Sequence, residues 1–220
     1  MQEYDVLVIG TGPAGEGAAM MLAKNRRRVA VVERHDEVGG GCTHWGTIPS
    51  KALRHAVKSL GDARANPLLR RHLHLPQVRF AELLATADGV IESQVATRRR
   101  FYDRNRVPVH EGSARFLDAH TLEITPRQEA PFSLRAEQIL IATGSRPYRP
   151  PDLDFSHPRV CDSDTILRFA GTPFSVTIYG AGVIGCEYAS IFLNMGCKVT
   201  LVNTQDRLLS FMDEEIAEAL

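Results

Sequence analysis

Apolar residues alternate along the chain between short runs and helical stripes. Residues 5–9 form a short apolar run, followed by Gly10-Thr11-Gly12-Pro13-Ala14-Gly15 and a segment of helical composition ending at Asn25. A second apolar run, 29–32, ends at Glu33. Strand, glycine turn, helix and strand in this order predict a βαβ unit. The design returns far downstream. Residues 175–179 are apolar and β-branched, Gly180-Ala181-Gly182-Val183-Ile184-Gly185 follows, and a helical pattern runs to Met195, with Gly196 as its C′ residue. The next strand, 199–202, ends at Asn203, as far from Gly180 as Glu33 is from Gly10. An internal repeat of this kind predicts two dinucleotide sites.

Between the repeats, a helix begins near Pro49, and a long amphipathic helix follows a polar stretch. Phe80, Leu83, Leu84, Ala87, Ile91 and Val95 share one helical face, the pattern of core packing. Residues 107–141 change to short alternating strands such as 121–124, which predict a small antiparallel meander closed by a strand over 138–142. The Pro- and Asp-rich stretch 147–158 reads as a crossover. The expected architecture is α/β, with two Rossmann-like dinucleotide-binding units and a β-meander in the first. The division is 1–148 for the first domain, 149–172 for the crossover and 173–220 for the start of the second. A complete dinucleotide domain has more strands than follow residue 173, so the expectation is a truncated or partial second unit.

Charge narrows the function classes. Lys plus Arg and Asp plus Glu number 26 each, against a nucleic-acid or anionic-membrane partner bound by bulk charge. Arg98-Arg99-Arg100 reads as a solvated helix face. No apolar stretch approaches the roughly 18 residues of a membrane span. The start, Met1-Gln2-Glu3-Tyr4-Asp5, is acidic and leads straight into a strand, unlike a signal peptide, so a cytoplasmic protein is expected. Cys42, Cys161, Cys186 and Cys197 are scattered without metal-ligand spacing, and no metal site is expected. A reducing compartment disfavours structural disulfides.

Each G-x-G-x-x-G turn follows a strand and opens a helix, the context that gives this short motif meaning. Gly10 permits the tight turn, Gly12 lets backbone approach a pyrophosphate, and Gly15 lets helix pack on sheet. The helix N-terminus offers free N–H groups and a positive dipole to the anion. Glu33 stands where a strand end meets the ribose hydroxyls of an adenosine.

The segment Gly39-Gly40-Gly41-Cys42-Thr43-His44-Trp45-Gly46-Thr47-Ile48-Pro49-Ser50-Lys51 is more specific. It resembles the flavoprotein disulfide reductases, the family of lipoamide dehydrogenase and glutathione reductase. Ala142-Thr143-Gly144-Ser145-Arg146-Pro147 resembles that family's second flavin contact, and the resemblance covers the whole chain in order. It implies FAD at the first unit. Gly10, Gly12, Gly15 and Glu33 would hold its adenosine and pyrophosphate, with Arg34, His35, Gly39, Gly40, Gly41, Cys42 and Thr43 running on toward the ribityl chain. Gly112-Ser113-Ala114 would lie on the adenine side, and Thr143, Gly144 and Ser145 at the second contact. Lys51 would lie near the reactive edge of the flavin, paired with Glu187, where a cation favours the anionic reduced form. Gly180, Gly182, Val183, Ile184, Gly185, Glu187, Asn203 and Arg207 would serve NAD or NADP at the second unit. The family works as larger oligomeric chains, so a homo-oligomer is expected.

One departure from the family matters. Cys42 matches the first cysteine of its redox disulfide, but Thr47 stands where the second belongs. A dithiol relay needs two sulfurs, so electrons from the flavin have no protein disulfide to enter. Cys42 is either a relic packed under the flavin or a lone nucleophile. His44 and Trp45 replace smaller residues on that face. Asn203 bears on the nucleotide: an NAD-specific site places a carboxylate there, which would oppose a 2′-phosphate by about 4 kcal/mol at 4 Å and an effective dielectric near 20. Asn repels neither nucleotide, and Arg207 adds attraction for a phosphate. The expected function is FAD-dependent hydride transfer between NADPH and NAD⁺, ping-pong through one nucleotide site. The alternatives are another flavoprotein oxidoreductase of disulfide-reductase, oxidase or peroxidase type, or an FAD-binding fragment without turnover.

Overall fold

The computed structural model describes residues 2–72 and 78–220. The elements in chain order are β1 (Gln2–Ile9), α1 (Pro13–Lys24), β2 (Val29–Glu33), α2 (Gly40–His44), α3 (Thr47–Ala65), α4 (Pro67–His72) and α5 (Phe80–Arg104). There follow β3 (Val109–Glu111), β4 (Ser113–Phe116), β5 (Thr121–Thr125), β6 (Phe132–Ile141), β7 (Ser175–Tyr179), α6 (Val183–Asn194), β8 (Lys198–Val202) and α7 (Glu214–Glu218). They form two compact units, Met1–Gly46 with Ile91–Tyr148, and Thr47–Val90 with Arg149–Leu220.

The first unit is built on a six-stranded sheet in the order β3-β2-β1-β6-β5-β4. β1, β2, β3 and β6 pair parallel, and β4, β5 and β6 antiparallel. Residues 6–9 of β1 and 29–32 of β2 are unbroken apolar runs because both faces are covered there. Val6, Val8, Val29 and Val31 pack with Ala19 of α1 and Tyr102 of α5 on one face. Leu7, Ala30 and Val32 pack with Leu122, Ile124 and Leu134 of the meander on the other. The meander is thus real, but it is no separate sheet. β6 runs the full length Phe132–Ile141, pairing antiparallel with β5 at one end and parallel with β1 along most of its length. β3 lies in the parallel part, beside β2, rather than in the meander expected over 107–141.

In the second unit, β7 and β8 form a parallel pair flanked by α6. Leu53 and Val57 of α3 pack with Phe80, Leu83 and Ala87 of α5 and with Ile191 and Phe192 of α6. The linear division placed Thr47–Val90 with the first 148 residues. By contacts these residues group with Arg149–Leu220, because α3 and the start of α5 bury their apolar stripes against α6. The stripe on α5 therefore serves two cores: Phe80 to Ala87 in this unit, and Val95 with Tyr102 in the first.

The internal repeat is exact enough to compare backbone angles. Gly10 has φ +106° and Gly180 φ +111°, and each N–H donates at 2.8 Å to a carbonyl at the C-terminal end of the second strand, Val32 in β2 and Val202 in β8. A Cβ at Gly15 would lie 2.0 Å from the Gly10 carbonyl oxygen, and one at Gly185 would lie 1.8 Å from that of Gly180. Both helices close alike. The N–H of Gly196 reaches Leu193 O and that of Cys197 reaches Phe192 O; in α1, Arg26 reaches Ala23 O and Arg27 reaches Leu22 O. Gly196 sits at φ +89°, but its counterpart Arg26 takes φ +60° with a side chain.

That conformation costs a non-glycine residue about 1–2 kcal/mol, partly offset by the entropy glycine would lose. Arg26→Gly is therefore expected to raise the unfolding free energy by about 0.5–1 kcal/mol. Arg27→Gly, outside the left-handed region, is expected to lower it. Denaturant melts of the two variants side by side check the pair of signs.

Candidate functional site

The first site forms where the glycine turn after β1 meets the end of β2. Thr11 is wholly buried and Glu33 is 5% exposed. The Thr11 N–H donates to Glu33 Oε2 at 2.9 Å, and the Thr11 hydroxyl donates to the same oxygen. The His35 N–H donates to Oε1 at 3.0 Å. The Thr11 hydroxyl also accepts from the Gly39 N–H at 3.0 Å. A buried carboxylate thus ties together the turn, the strand end and the loop that follows. Gly112 N–H adds a 2.8 Å bond to the Glu33 carbonyl, which fixes the start of β4 and half-buried Ala114 beside the same corner.

Glycines line the space in front of α1. Gly12 and Gly40 approach so closely that a Cβ on Gly40, already at φ +59°, would meet Gly12 Cα at 2.7 Å. A Cβ on Gly10 would meet the Ala142 carbonyl oxygen at 2.4 Å, so the chain leaving β6 toward exposed Thr143, Gly144 and Ser145 borders the same turn. Gly39 has φ +120°, and exposed Gly41 lies in the first turn of α2 beside half-buried Cys42. Thr43 is wholly buried, and its hydroxyl has no hydrogen-bond partner among the described residues. A glycine cradle at a helix N-terminus with an orphaned hydroxyl beside it fits a pyrophosphate-bearing ligand.

Arg34 is exposed and donates from Nε to His35 Nε2 at 3.2 Å. Burial pushes the His35 imidazole down from its ordinary value, with the Glu33 charge opposing. His35 and His44 flank Trp45, ring centroids 4.7 and 5.4 Å away. His44 is further held by the Val38 carbonyl, 2.9 Å from Nε2.

In the second unit, Gly180, Gly182 and Gly185 shape the turn, and Val183 and Ile184 are exposed at the start of α6. Asn203 is exposed, and its Nδ2 donates to Gln205 O at 2.8 Å and Arg207 O at 3.0 Å, closing its own loop. Arg207 pairs with Glu214 at 3.2 Å, both at the surface. On α3 and α6, Lys51 Nζ donates to both oxygens of Glu187, at 2.7 and 2.9 Å. Ser50, which sequence reasoning passed over, donates a third bond to Glu187 at 3.0 Å. Lys51 is largely exposed, so the pair contributes little stability. Cys197 is buried, Cys161 and Cys186 are half-buried, and burial pushes all three thiols up.

Two residues that the sequence reading missed or misread stand out in the first unit. Thr11 was seen only as a turn residue. Arg98 was placed on a solvated face, yet it forms an ion pair with Glu16 in which both side chains are 14% exposed. Its spacing from Val95 and Tyr102, three and four residues, puts it on the buried stripe; Arg99 and Arg100 do point to the surface.

The sequence profile of the family described as pyridine nucleotide-disulphide oxidoreductase matches residues 4–220. The soluble pyridine nucleotide transhydrogenase of Colwellia psychrerythraea is 56% identical, covering 99% of this chain and 47% of its own. That of Escherichia coli K12 is 55% identical with the same coverage. The solved structure of the HOCl-induced flavoprotein disulfide reductase RclA from Escherichia coli, a Cu(II) complex, superposes with TM-score 0.83 at 30% identity, over 99% of this chain and 46% of that one. The chain thus spans about half the length of the curated relatives it matches.

Thr11→Val tests the buried hub. It removes one donor to Glu33 and the acceptor for Gly39, and each lost buried hydrogen bond costs about 1–3 kcal/mol. A drop of about 2–4 kcal/mol in unfolding free energy is expected; a loss below 1 kcal/mol would mean the hydroxyl is not the tie.

Proposed function

The chain belongs to the pyridine nucleotide-disulphide oxidoreductase family, and on that premise we propose that the full-length protein carries FAD and transfers hydride between NADPH and NAD⁺. The observation that carries this reading is the repeated glycine turn, with the same φ and hydrogen-bond geometry in both units and different residues at the strand ends. The names of the transhydrogenase relatives support the same reaction. We assign FAD binding to residues 1–148 and nicotinamide nucleotide binding to residues from 173 onward.

When bound, FAD supplies the hydride-accepting and hydride-donating chemistry. The residues of this chain then have separate tasks. Gly12 and Gly40 give the pyrophosphate access to backbone N–H groups at α1, and the Thr43 hydroxyl is free to donate. Glu33, held by Thr11, retains lone pairs for ribose hydroxyls. Lys51, oriented by Glu187 and Ser50, offers a positive charge where negative charge develops. Asn203 spends its N–H₂ on its own loop, which leaves the carbonyl oxygen to accept from a ribose hydroxyl. Being neutral, it admits a 2′-phosphate as well. Thr47 removes the disulfide, so nothing on this chain diverts electrons to sulfur. We also read the full-length protein as a cytoplasmic homo-oligomer; among the described residues no helix is long and apolar enough to cross a membrane.

Cys42→Ala is expected to keep most NADPH-to-NAD⁺ activity, because no sulfur lies on the route. Purified full-length protein should be yellow, and neither it nor the variant should reduce lipoamide or oxidised glutathione. A colourless protein that FAD cannot reconstitute removes the flavoprotein reading. A Cys42→Ala variant that keeps FAD but loses all activity removes the relic role of Cys42.

Asn203→Glu tests the shared nucleotide site. The carboxylate cannot donate to Gln205 O or Arg207 O, so loop loosening should cost both nucleotides. The ratio of kcat/KM values isolates charge: flavin reduction by NADPH should fall relative to NADH by about ten- to hundredfold, or about 1–3 kcal/mol. An unchanged ratio would place discrimination elsewhere.

A further inference from the structure

We propose that Arg98 is a positioning residue for the FAD pyrophosphate, acting by cancelling the charge of Glu16 at the front of α1. The inference rests on the FAD reading of the first unit. Glu16 lies in the first turn of α1, its own N–H bonded to Gly12 O at 2.9 Å. An acid there ordinarily stabilises a helix through the dipole. At a helix whose N-terminus binds an anion, the same acid opposes the ligand. The chain answers this with Arg98 of α5, whose Nη1 donates to both carboxylate oxygens of Glu16 at 2.8 Å.

Tyr102, one turn along α5, is 2% exposed. Its hydroxyl, like the Nε of Arg98, is buried without a partner among the described residues. Burial first, then the charges of Glu16 and Glu33, push the Tyr102 phenol up, with Arg98 opposing. Both carboxylates are thus felt at one buried point, with Arg98 as the cation set against them. Glu33 has its bonds from Thr11 and His35, all from neutral donors. Without Arg98, a pyrophosphate at the front of α1 would be bound beside the uncompensated carboxylate of Glu16 in a medium that screens poorly. A brace between α1 and α5 needs no charge, since apolar residues of similar size often serve as well. What an ion pair adds at this place is neutrality in front of the anion.

The test is FAD affinity of the full-length apoprotein, read by flavin fluorescence, beside the melting temperature of each variant. Arg98→Gln is expected to raise the FAD Kd about tenfold or more. Glu16→Gln with Arg98→Gln should return it to within about threefold of wild type. Arg98→Lys should rescue much of the loss, because the contact is made by a single nitrogen. Glu16→Gln alone, informative even if Arg98→Gln does not fold, should bind FAD at least as tightly as wild type. A Glu16→Gln variant that loses FAD as badly as Arg98→Gln, or a double variant with no recovery, overturns the inference and makes the pair a brace only. A wild-type protein that binds no FAD overturns the functional reading instead, so the two failures are distinct.

Discussion

The buried carboxylate of Glu33 is the constraint around which the glycine-turn edge of the first unit is arranged. A carboxylate removed from water must be hydrogen-bonded, or its desolvation cost destabilises the fold. Three donors meet that need: the N–H and hydroxyl of Thr11 and the N–H of His35. Two come from the glycine turn and one from the residue two beyond Glu33. Satisfying the charge therefore fixes the glycine turn against β2, and through the Thr11 hydroxyl it also fixes Gly39 and the loop behind it. The Gly12 and Gly40 approach follows from this closure. A larger residue at Gly40 would meet the Gly12 backbone at 2.7 Å and push the loop away from the donors that Glu33 requires.

The second unit repeats the backbone and discards the charge. Ala181 stands in the place of Thr11 and Asn203 in that of Glu33. Leu209, the counterpart of Gly39, still returns to the turn, but through a backbone bond to the Ala181 carbonyl at 3.1 Å. Leu209 takes φ +44° to do so. Closure by one backbone bond and one side-chain amide is local and largely exposed, where closure in the first unit is buried and spans three segments. Locally closed, solvent-facing loops open at lower free energy than buried ones.

What the sequence made legible was periodicity and special glycines. Strand 175–179, the helix start near Pro49, and Gly196 at φ +89° follow from rules of local geometry. What it hid depended on long-range pairing. β6 carries a single strand pattern, and nothing local reveals that one end pairs with β5 and the other with β1. The grouping of Thr47–Val90 with Arg149–Leu220 depends on which apolar stripe meets α6, and apolar stripes carry no address. Arg98 was misread because three consecutive arginines suggest solvent, although helical spacing from Val95 already placed the first of them on the buried side. Thr11 occupies the variable position of a glycine motif, so the motif itself hides the residue that anchors it.

The contrast between the units bears on how a flavoprotein can exchange one dinucleotide while retaining another. A ping-pong cycle needs a resident group that survives every turnover and a nucleotide that leaves each time. Residence favours a site whose residues are pre-organised before binding, because no ordering cost is then charged against affinity. The corner built on Glu33, Thr11 and Gly39 has that character, with the carboxylate already held by its three donors. Exchange favours the opposite, and the neutral strand end and the loop that Asn203 closes on itself have that character. Under the proposed function, two nucleotides differing by a phosphate would share one site without a charge that excludes either. On this view the sequence difference between Glu33 and Asn203 is a difference in tenure as well as in specificity, written onto one backbone used twice.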